Sequence, residues 1–242
     1  MSTTAKVSAR QRIESILDDN SFVEIGAYVK ARNTDFNIQA KDTPSDGVIT
    51  GYGVINGGLV YVYSQDASVL GGSVGEMHAK KIASLYDMAM KTGSPVIGLI
   101  DSTGLRLQES VDGLNAFGQI YMKQSLASGV IPTITAIFGN CGGGLSIVAG
   151  LSDFTFMEVE NAQLFVNSPN AITENRREIC DNASAKFQSE KAGNVDFVGT
   201  EAEVIEGIRN LVSVLPSNNE DEASDLECYD DLNRAAEEIE NC

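Results

Sequence analysis

The chain has 242 residues, 43% of them apolar, enough to bury a sizeable core and to set disorder aside. Thirty-four acidic against 17 basic side chains give a formal net charge of −17, which argues against loose nucleic-acid binding, since that needs phosphates neutralised by Lys and Arg. An anionic ligand therefore has to be held locally.

The polar start MSTTAKVSARQRIESILDDN has no apolar signal core and runs into an amphipathic helix carrying Ile13, Ile16 and Leu17; Phe22, Val23 and Ile25 then predict an extended segment. From Asp46 to Asp66 two β-rich stretches flank Asn56-Gly57, the strongest local signal for a hairpin. Gly75 to Thr92 reads as a helix with Ile82, Leu85, Tyr86 and Ala89 inward and Lys80, Lys81 and Asp87 outward. Pro95 to Asp101 predicts a buried strand, Leu114 to Ala127 a helix and Ile131 to Phe138 another buried strand. That order implies parallel pairing through right-handed crossovers. GNCGGGLSIVAG follows as a strand-to-helix turn, and DFTFM and QLFV as short strands bracketing the turn Glu160-Asn161. Beyond Pro169 the polar stretch shows little periodicity and reads as loop or irregular helix, until Val204, Ile208, Leu211 and Val212 define a helix over Glu203 to Leu215 that Pro216 closes. The acidic end reads as a solvated tail with a short terminal helix. We read residues 1–242 as one domain: a helical leading segment over 1–45, a core over 46–168, and a helical and acidic remainder over 169–242. No run approaches the roughly 18 apolar residues of a membrane span, and the expected location is cytoplasmic. Cys141, Cys180, Cys228 and Cys242 form neither a CxxC pair nor a regular framework, which points to free thiols.

Three glycine-bearing turns carry the chemistry. Gly139-Asn140-Cys141-Gly142-Gly143-Gly144 ends a buried strand and opens a helix, where unpaired N–H groups are available and glycine lets a carbonyl come close. That suits an oxyanion hole, although three glycines also serve close helix packing. Asp101-Ser102-Thr103-Gly104-Leu105-Arg106 ends the preceding buried strand, on the side where α/β folds gather ligands. Arg106 reads either as a bidentate anchor for a phosphate or carboxylate, or as an internal salt bridge to Asp101 or Glu109. Leu70-Gly71-Gly72-Ser73 precedes the helix that contains His78. As the only histidine, with no nearby Ser or Cys partner, His78 is expected to pack, and Cys141 likewise reads as structural. There is no GxGxxG fingerprint, P-loop or HExxH.

The runs DGVITGYGVINGGLVYVYSQDASVLGGSVGEMHAKK, SPVIGLIDSTGLRLQES and SGVIPTITAIFGNCGGGLSIVAGLSDFTFM, in that order, resemble the N-terminal domain of the biotin-dependent carboxyltransferases, the family of propionyl-CoA carboxylase β and methylmalonyl-CoA or glutaconyl-CoA decarboxylase α subunits. The resemblance spans roughly residues 8–170. It implies an α/β crotonase-type fold, a spiral of β-β-α units in which backbone N–H groups hold a thioester oxygen. By resemblance, those donors are Gly143 and Gly144, with Gly104 and Leu105 shaping the same pocket, while Gly71, Gly72, Ser73 and Arg106 line the coenzyme A site.

The implied activity is carboxyl transfer between an acyl-CoA and biotin borne on a separate carrier protein. The implied partners are that carrier and a separate subunit supplying the C-terminal half, in a hetero-oligomer without membrane insertion or nucleic acid. The stretch Asn182 to Val198 departs from the family's Gly-rich, His-containing pattern, and Asp230-Asp231-Leu232-Asn233-Arg234 resembles the lead into a second domain. Two alternatives are a crotonase-type hydratase or isomerase and a catalytically silent assembly subunit. The first is disfavoured because Leu145, Ser146 and Ile147, and Ser168-Pro169-Asn170, stand where hydratases place glutamates.

Overall fold

The computed structural model describes residues 7–33, 43–171, 173, 176–178, 181–222, 229–231 and 233–235. Helix α1 (Ala9–Ile16) is started by Ser8, whose side chain and Gln11 cap each other's backbone N–H groups, and it buries Ile13 and Ile16. The extended segment after it is β1 (Val23–Ile25), antiparallel to β2 (Val48–Ile55). The expected hairpin joins β2 to β3 (Gly58–Gln65), with Asn56 and Gly57 at φ 50° and 81°, the two positive values that a tight twisted turn requires. Helix α2 (Glu76–Thr92) follows and ends on Gly93 in the left-handed conformation.

From there the sheet turns parallel: β4 (Val96–Ile100), β5 (Thr133–Ile137), β7 (Phe154–Glu158) and β9 (Phe197–Gly199) extend it from β3, giving seven strands in the order β1-β2-β3-β4-β5-β7-β9. Helix α3 (Ser110–Ala127) links β4 to β5. Two short strands, β6 (Asn140–Gly142) and β8 (Gln163–Phe165), leave the main sheet and pair in parallel with each other. DFTFM and QLFV thus enter different sheets. The chain then repeats strand, strand, helix: β5-β6-α4 (Gly144–Gly150), then β7-β8-α5 (Ala185–Glu190). This is the α/β spiral expected.

Both faces of the sheet are covered, which is why the parallel strands read as unbroken apolar runs. Val96, Ile100, Ile137 and Met157 face α2, α3 and α4, while Ile97, Leu99, Ile134 and Phe156 face α1 and α6 (Glu201–Val214). Each buried Leu or Ile contributes about 1.5–3 kcal/mol. Among the described residues no helix is long and apolar enough to cross a membrane.

Two expectations change. Lys81 is turned inward and buried, its ammonium donating to the carbonyls of Ser45 and Val48; helical spacing cannot reveal that acceptors from another segment lie over that position. Burial lowers its pKa to about 8. The aperiodic stretch after Pro169 contains α5, capped by Ser184, and β9, the edge of the main sheet; both are too short to show a period. The expected terminal helix lies outside the described residues, and Tyr229, Asp230 and Asp231 are exposed.

Candidate functional site

Three loops meet at the carboxyl ends of β4 and β6. The Asp101–Arg106 junction is tied to the Gly139–Gly144 junction by the Ser102 N–H donating to Asn140 O at 3.0 Å, and a Cβ placed on Gly104 would lie 3.5 Å from Gly142 O. It is tied to the Gly71–Ser73 loop by Thr103 N–H to Gly71 O at 2.9 Å and by the Ser102 hydroxyl to Gly72 O at 2.6 Å. The sequence reading names the same three loops.

Which of their N–H groups remain open is decided by strand register. β6 runs parallel to β8 with Gly142 beside Phe165, so the next amide, Gly143 N–H, enters the ladder and donates to Phe165 O at 3.0 Å. Gly143 is thereby removed from the expected donors. Its φ of 60° with ψ of −122° is the turn that swings the chain into α4, a conformation that favours glycine. The following amide, Gly144 N–H, has no protein acceptor among the described residues. At the other junction, Val74 bonds Gly104 O at 2.8 Å and receives Arg106 N–H at 3.0 Å, a parallel bridge that turns the intervening Leu105 N–H away. Gly104 N–H is held by the Ser102 hydroxyl at 3.0 Å, whereas Leu105 N–H has no protein acceptor among the described residues. An open donor therefore stands at each of two bonded junctions.

The turn at Gly144 rests on α3. Tyr121 donates its hydroxyl to Gly144 O at 2.7 Å, and a Cβ on Gly144 would sit 2.8 Å from that hydroxyl and 3.1 Å from the Phe117 ring. Sequence reasoning missed both side chains, although their four-residue spacing on a helix places them on one face.

The residues expected to line the coenzyme A site are mostly turned inward. Gly72 and Ser73 are buried, with their N–H groups on Val69 O and Leu70 O; Gly71 is half-buried. Arg106 is one of the most deeply buried side chains and forms no outward anchor. Its guanidinium donates to Asp46 at 2.6 Å, Glu109 at 2.9 Å and Ser73 O at 2.7 Å, so a direct grip on a phosphate is ruled out. Of its two expected internal partners only Glu109 pairs with it; Asp101 instead pairs at 3.3 Å with Arg12 of α1, which also holds Glu201 of α6.

His78 is fully buried. Its Nδ1–H donates to Asp46 O at 3.0 Å, leaving Nε2 to accept from Gln65, and burial with the nearby Arg106 charge drives its pKa down to about 3. It is a neutral packing residue. Burial pushes the Cys141 thiol up to about 12, which removes it as a nucleophile. Neither Leu145, Ser146 nor Ile147 brings a carboxylate to the open donors, and the oxygens of Glu158 cap the N–H groups of Glu160 and Asn161. Hydration, which needs an acid and a base at the carbonyl, finds neither at these positions among the described residues. Two open backbone N–H groups of this kind can polarise a carbonyl oxygen without help from a side chain.

Residues 3–242 match the family model described as the carboxyl transferase domain. The chain is 43% identical over 234 residues to a methylmalonyl-CoA decarboxylase subunit alpha from Propionigenium modestum, covering 95% of this chain and 45% of that protein. It superimposes on transcarboxylase 12S bearing hydrolysed methylmalonyl-coenzyme A with a TM-score of 0.88 at 36% identity, covering 93% of this chain and 45% of the other. A chain of a Pseudomonas malonate decarboxylase hetero-tetramer, solved with malonate, aligns with a TM-score of 0.74 at 25% identity over 86% of this chain and 81% of its own. The chain thus spans about half the length of the curated relatives it matches. On the family match and the decarboxylase likeness together, this chain belongs to the carboxyl transferase domain family.

Proposed function

We propose that this chain is the acyl-CoA-binding half of a biotin-dependent carboxyltransferase acting on the methylmalonyl-CoA and propionyl-CoA pair. The observation that carries the reading is the pair of N–H groups, at Leu105 and Gly144, left without protein acceptors where two strand-end junctions are bonded together. A relative named methylmalonyl-CoA decarboxylase subunit alpha and a solved neighbour, transcarboxylase 12S with hydrolysed methylmalonyl-coenzyme A, both bear that thioester in their names, and it becomes propionyl-CoA when its carboxyl group leaves.

The thioester oxygen accepts from Leu105 and Gly144. When the carboxyl group departs, the bonding electron pair moves onto the α-carbon and, by conjugation, onto that oxygen. Two aimed dipoles stabilise the enolate more than the neutral thioester, which is what lowers a barrier; one such donor is worth on the order of 3 kcal/mol. Biotin on a separate carrier supplies or accepts the carboxyl group. The half-buried Gly71 forms the rim toward the coenzyme A arm, and no side-chain nucleophile is used.

The same reading places the remaining half of the site on a second unit packed against this one. Helix α3 begins beside Leu105 and shows solvent Val111, Leu114, Met122 and Leu126, a stripe that Leu107 extends in the turn just before it, all at least half exposed. A stripe of this kind suits burial against a companion of similar architecture. The complex is expected in the cytoplasm.

The test is to purify the chain with whatever accompanies it, identify the companions, and follow methylmalonyl-CoA-dependent carboxyl transfer to free biotin. A biotinylated carrier, a crotonase-like companion and transfer activity are expected. Gly144→Ala, whose Cβ would press on Tyr121 and Phe117, should lower kcat by about 10²–10³ while the complex still assembles. Unchanged turnover in that variant, or a complex with neither companion, would overturn the reading.

A further inference from the structure

We infer that Arg106 is a positioning residue that acts through Leu105, holding the Leu105 N–H on target while touching no part of the substrate; this rests on the oxyanion reading proposed above. The guanidinium sits in a closed polar knot. Its Nη1 donates to Asp46 Oδ1 at 2.6 Å and Glu109 Oε1 at 2.9 Å, its Nη2 to Ser73 O at 2.7 Å, and its Nε to the Ser73 hydroxyl at 3.2 Å. The acceptors belong to three segments that frame the junction. Asp46 lies in the turn before β2 and its other oxygen takes the His78 N–H of α2 at 2.8 Å; Glu109 lies at the start of α3 and its other oxygen takes the Glu76 N–H at 2.6 Å. Ser73 is in the loop bonded to Thr103 and Ser102.

One planar fork therefore fixes the neighbours of Leu105 on both sides. The backbone around it is forced into place: of the seven non-glycine residues with positive φ among the described residues, four, Ser45, Asp46, Leu70 and Ser110, lie in or beside the segments the fork ties together. Such conformations persist only where surrounding contacts over-determine them, and they concentrate at functional sites. Gly75 completes the knot, since a Cβ there would come within 2.5 Å of Arg106 Nη1 and 2.3 Å of Glu109 Oε1. The Asp46, Arg106 and Glu109 side chains are no more than 1% exposed, so none reaches a ligand directly.

A donor held in this way matters most when the oxygen carries full charge. Loosening the fork should therefore weaken enolate stabilisation and leave coenzyme A binding alone, because the enolate differs from the thioester only at the reacting end. The test uses the co-purified complex and two probes. One is 2-nitropropionyl-CoA, whose ionised form is a planar nitronate that shares its negative charge between the nitro group and the thioester oxygen; the other is S-propyl-CoA, which has no such oxygen. Arg106→Lys keeps the charge and loses the fork. It should weaken 2-nitropropionyl-CoA by about ten-fold and lower kcat alongside, with S-propyl-CoA affinity within about two-fold of the original.

Should Arg106→Lys fail to fold, Ser73→Ala decides, since it removes one acceptor and spares both ion pairs; the same split is expected at several-fold. Equal losses for both probes, or no loss for either, would overturn the inference while leaving the oxyanion site standing. An unaltered protein that binds 2-nitropropionyl-CoA no better than S-propyl-CoA would instead bring down the oxyanion reading, and this inference with it.

Discussion

The two junctions that offer the open N–H groups of Leu105 and Gly144 are built by different means. At Leu105 the backbone is held by side chains: the Ser102 hydroxyl caps Gly104, Arg106 ties Asp46, Glu109 and Ser73, and Arg12 pairs with Asp101 behind. At Gly144 it is held by backbone: the β6–β8 ladder takes Gly143, a positive φ turns the chain, and a single tyrosine steadies the carbonyl. The first junction concentrates buried charge, and the second avoids it. Substitutions that remove charge should therefore damage the first and spare the second, while an added Cβ should do the reverse.

The largest expected effect breaks the charged junction outright. Arg106→Ala leaves Asp46 and Glu109 facing each other, buried and uncompensated, and Asp46 already has its pKa raised by burial against the opposing pull of Arg106. A loss of about 3–5 kcal/mol in unfolding free energy is expected, measured by urea denaturation. A loss under about 1 kcal/mol would show that the knot relaxes, and the two junctions would no longer differ in kind.

Acid should act at the same junction. His78 has a folded pKa of about 3 against 6.5 for the unconstrained side chain, so below about pH 6.5 the unfolded chain takes up a proton that the folded chain refuses. Its contribution is full above pH 6.5 and declines as pH falls toward 3, by about 1.4 kcal/mol per pH unit at most. Asp46, raised from 3.8, works in the opposite sense: its contribution is present below about 3.8 and lost as pH climbs from there. Between pH 4 and 6 the histidine sets the slope. A His78→Gln variant should flatten the stability profile across that interval, as measured by melting temperature against pH.

How far these features can be read from sequence follows from their range. The order of strands and helices is legible up to about residue 168 because it is written in local periodicity, and the Asn56-Gly57 turn because only a few residue pairs tolerate its dihedrals. The three loops are legible because glycine and small polar residues cluster at strand ends. Which amide in each loop stays open is not. That depends on pairing Gly142 with Phe165, more than 20 residues away, and on a bridge between Leu105 and Val74. The fate of Arg106 turns on Asp46, 60 residues earlier, and Lys81 is drawn inward by carbonyls of a turn some 35 residues before it. Side-chain types show what a residue is able to do, and register decides whether it does so.

The smallest expected effect tests the uncharged junction by one hydrogen bond. Tyr121→Phe keeps the ring, whose centroid lies 5.9 Å from that of Phe117, and removes only the hydroxyl that donates to Gly144 O. Tyr121 is half-buried, so water can take up the freed carbonyl and the stability cost should be about 0.5–1.5 kcal/mol. The turn is still closed by the Gly143 bond to Phe165 and by Ser146, which returns its N–H to Gly143 O at 3.1 Å. Turnover should fall only a few-fold, because the Gly144 N–H loses one of several restraints and none of its identity as a donor. A fall as deep as that expected for Gly144→Ala would mean that the tyrosine holds the turn as closely as Arg106 holds Leu105, and the contrast between the two junctions would collapse.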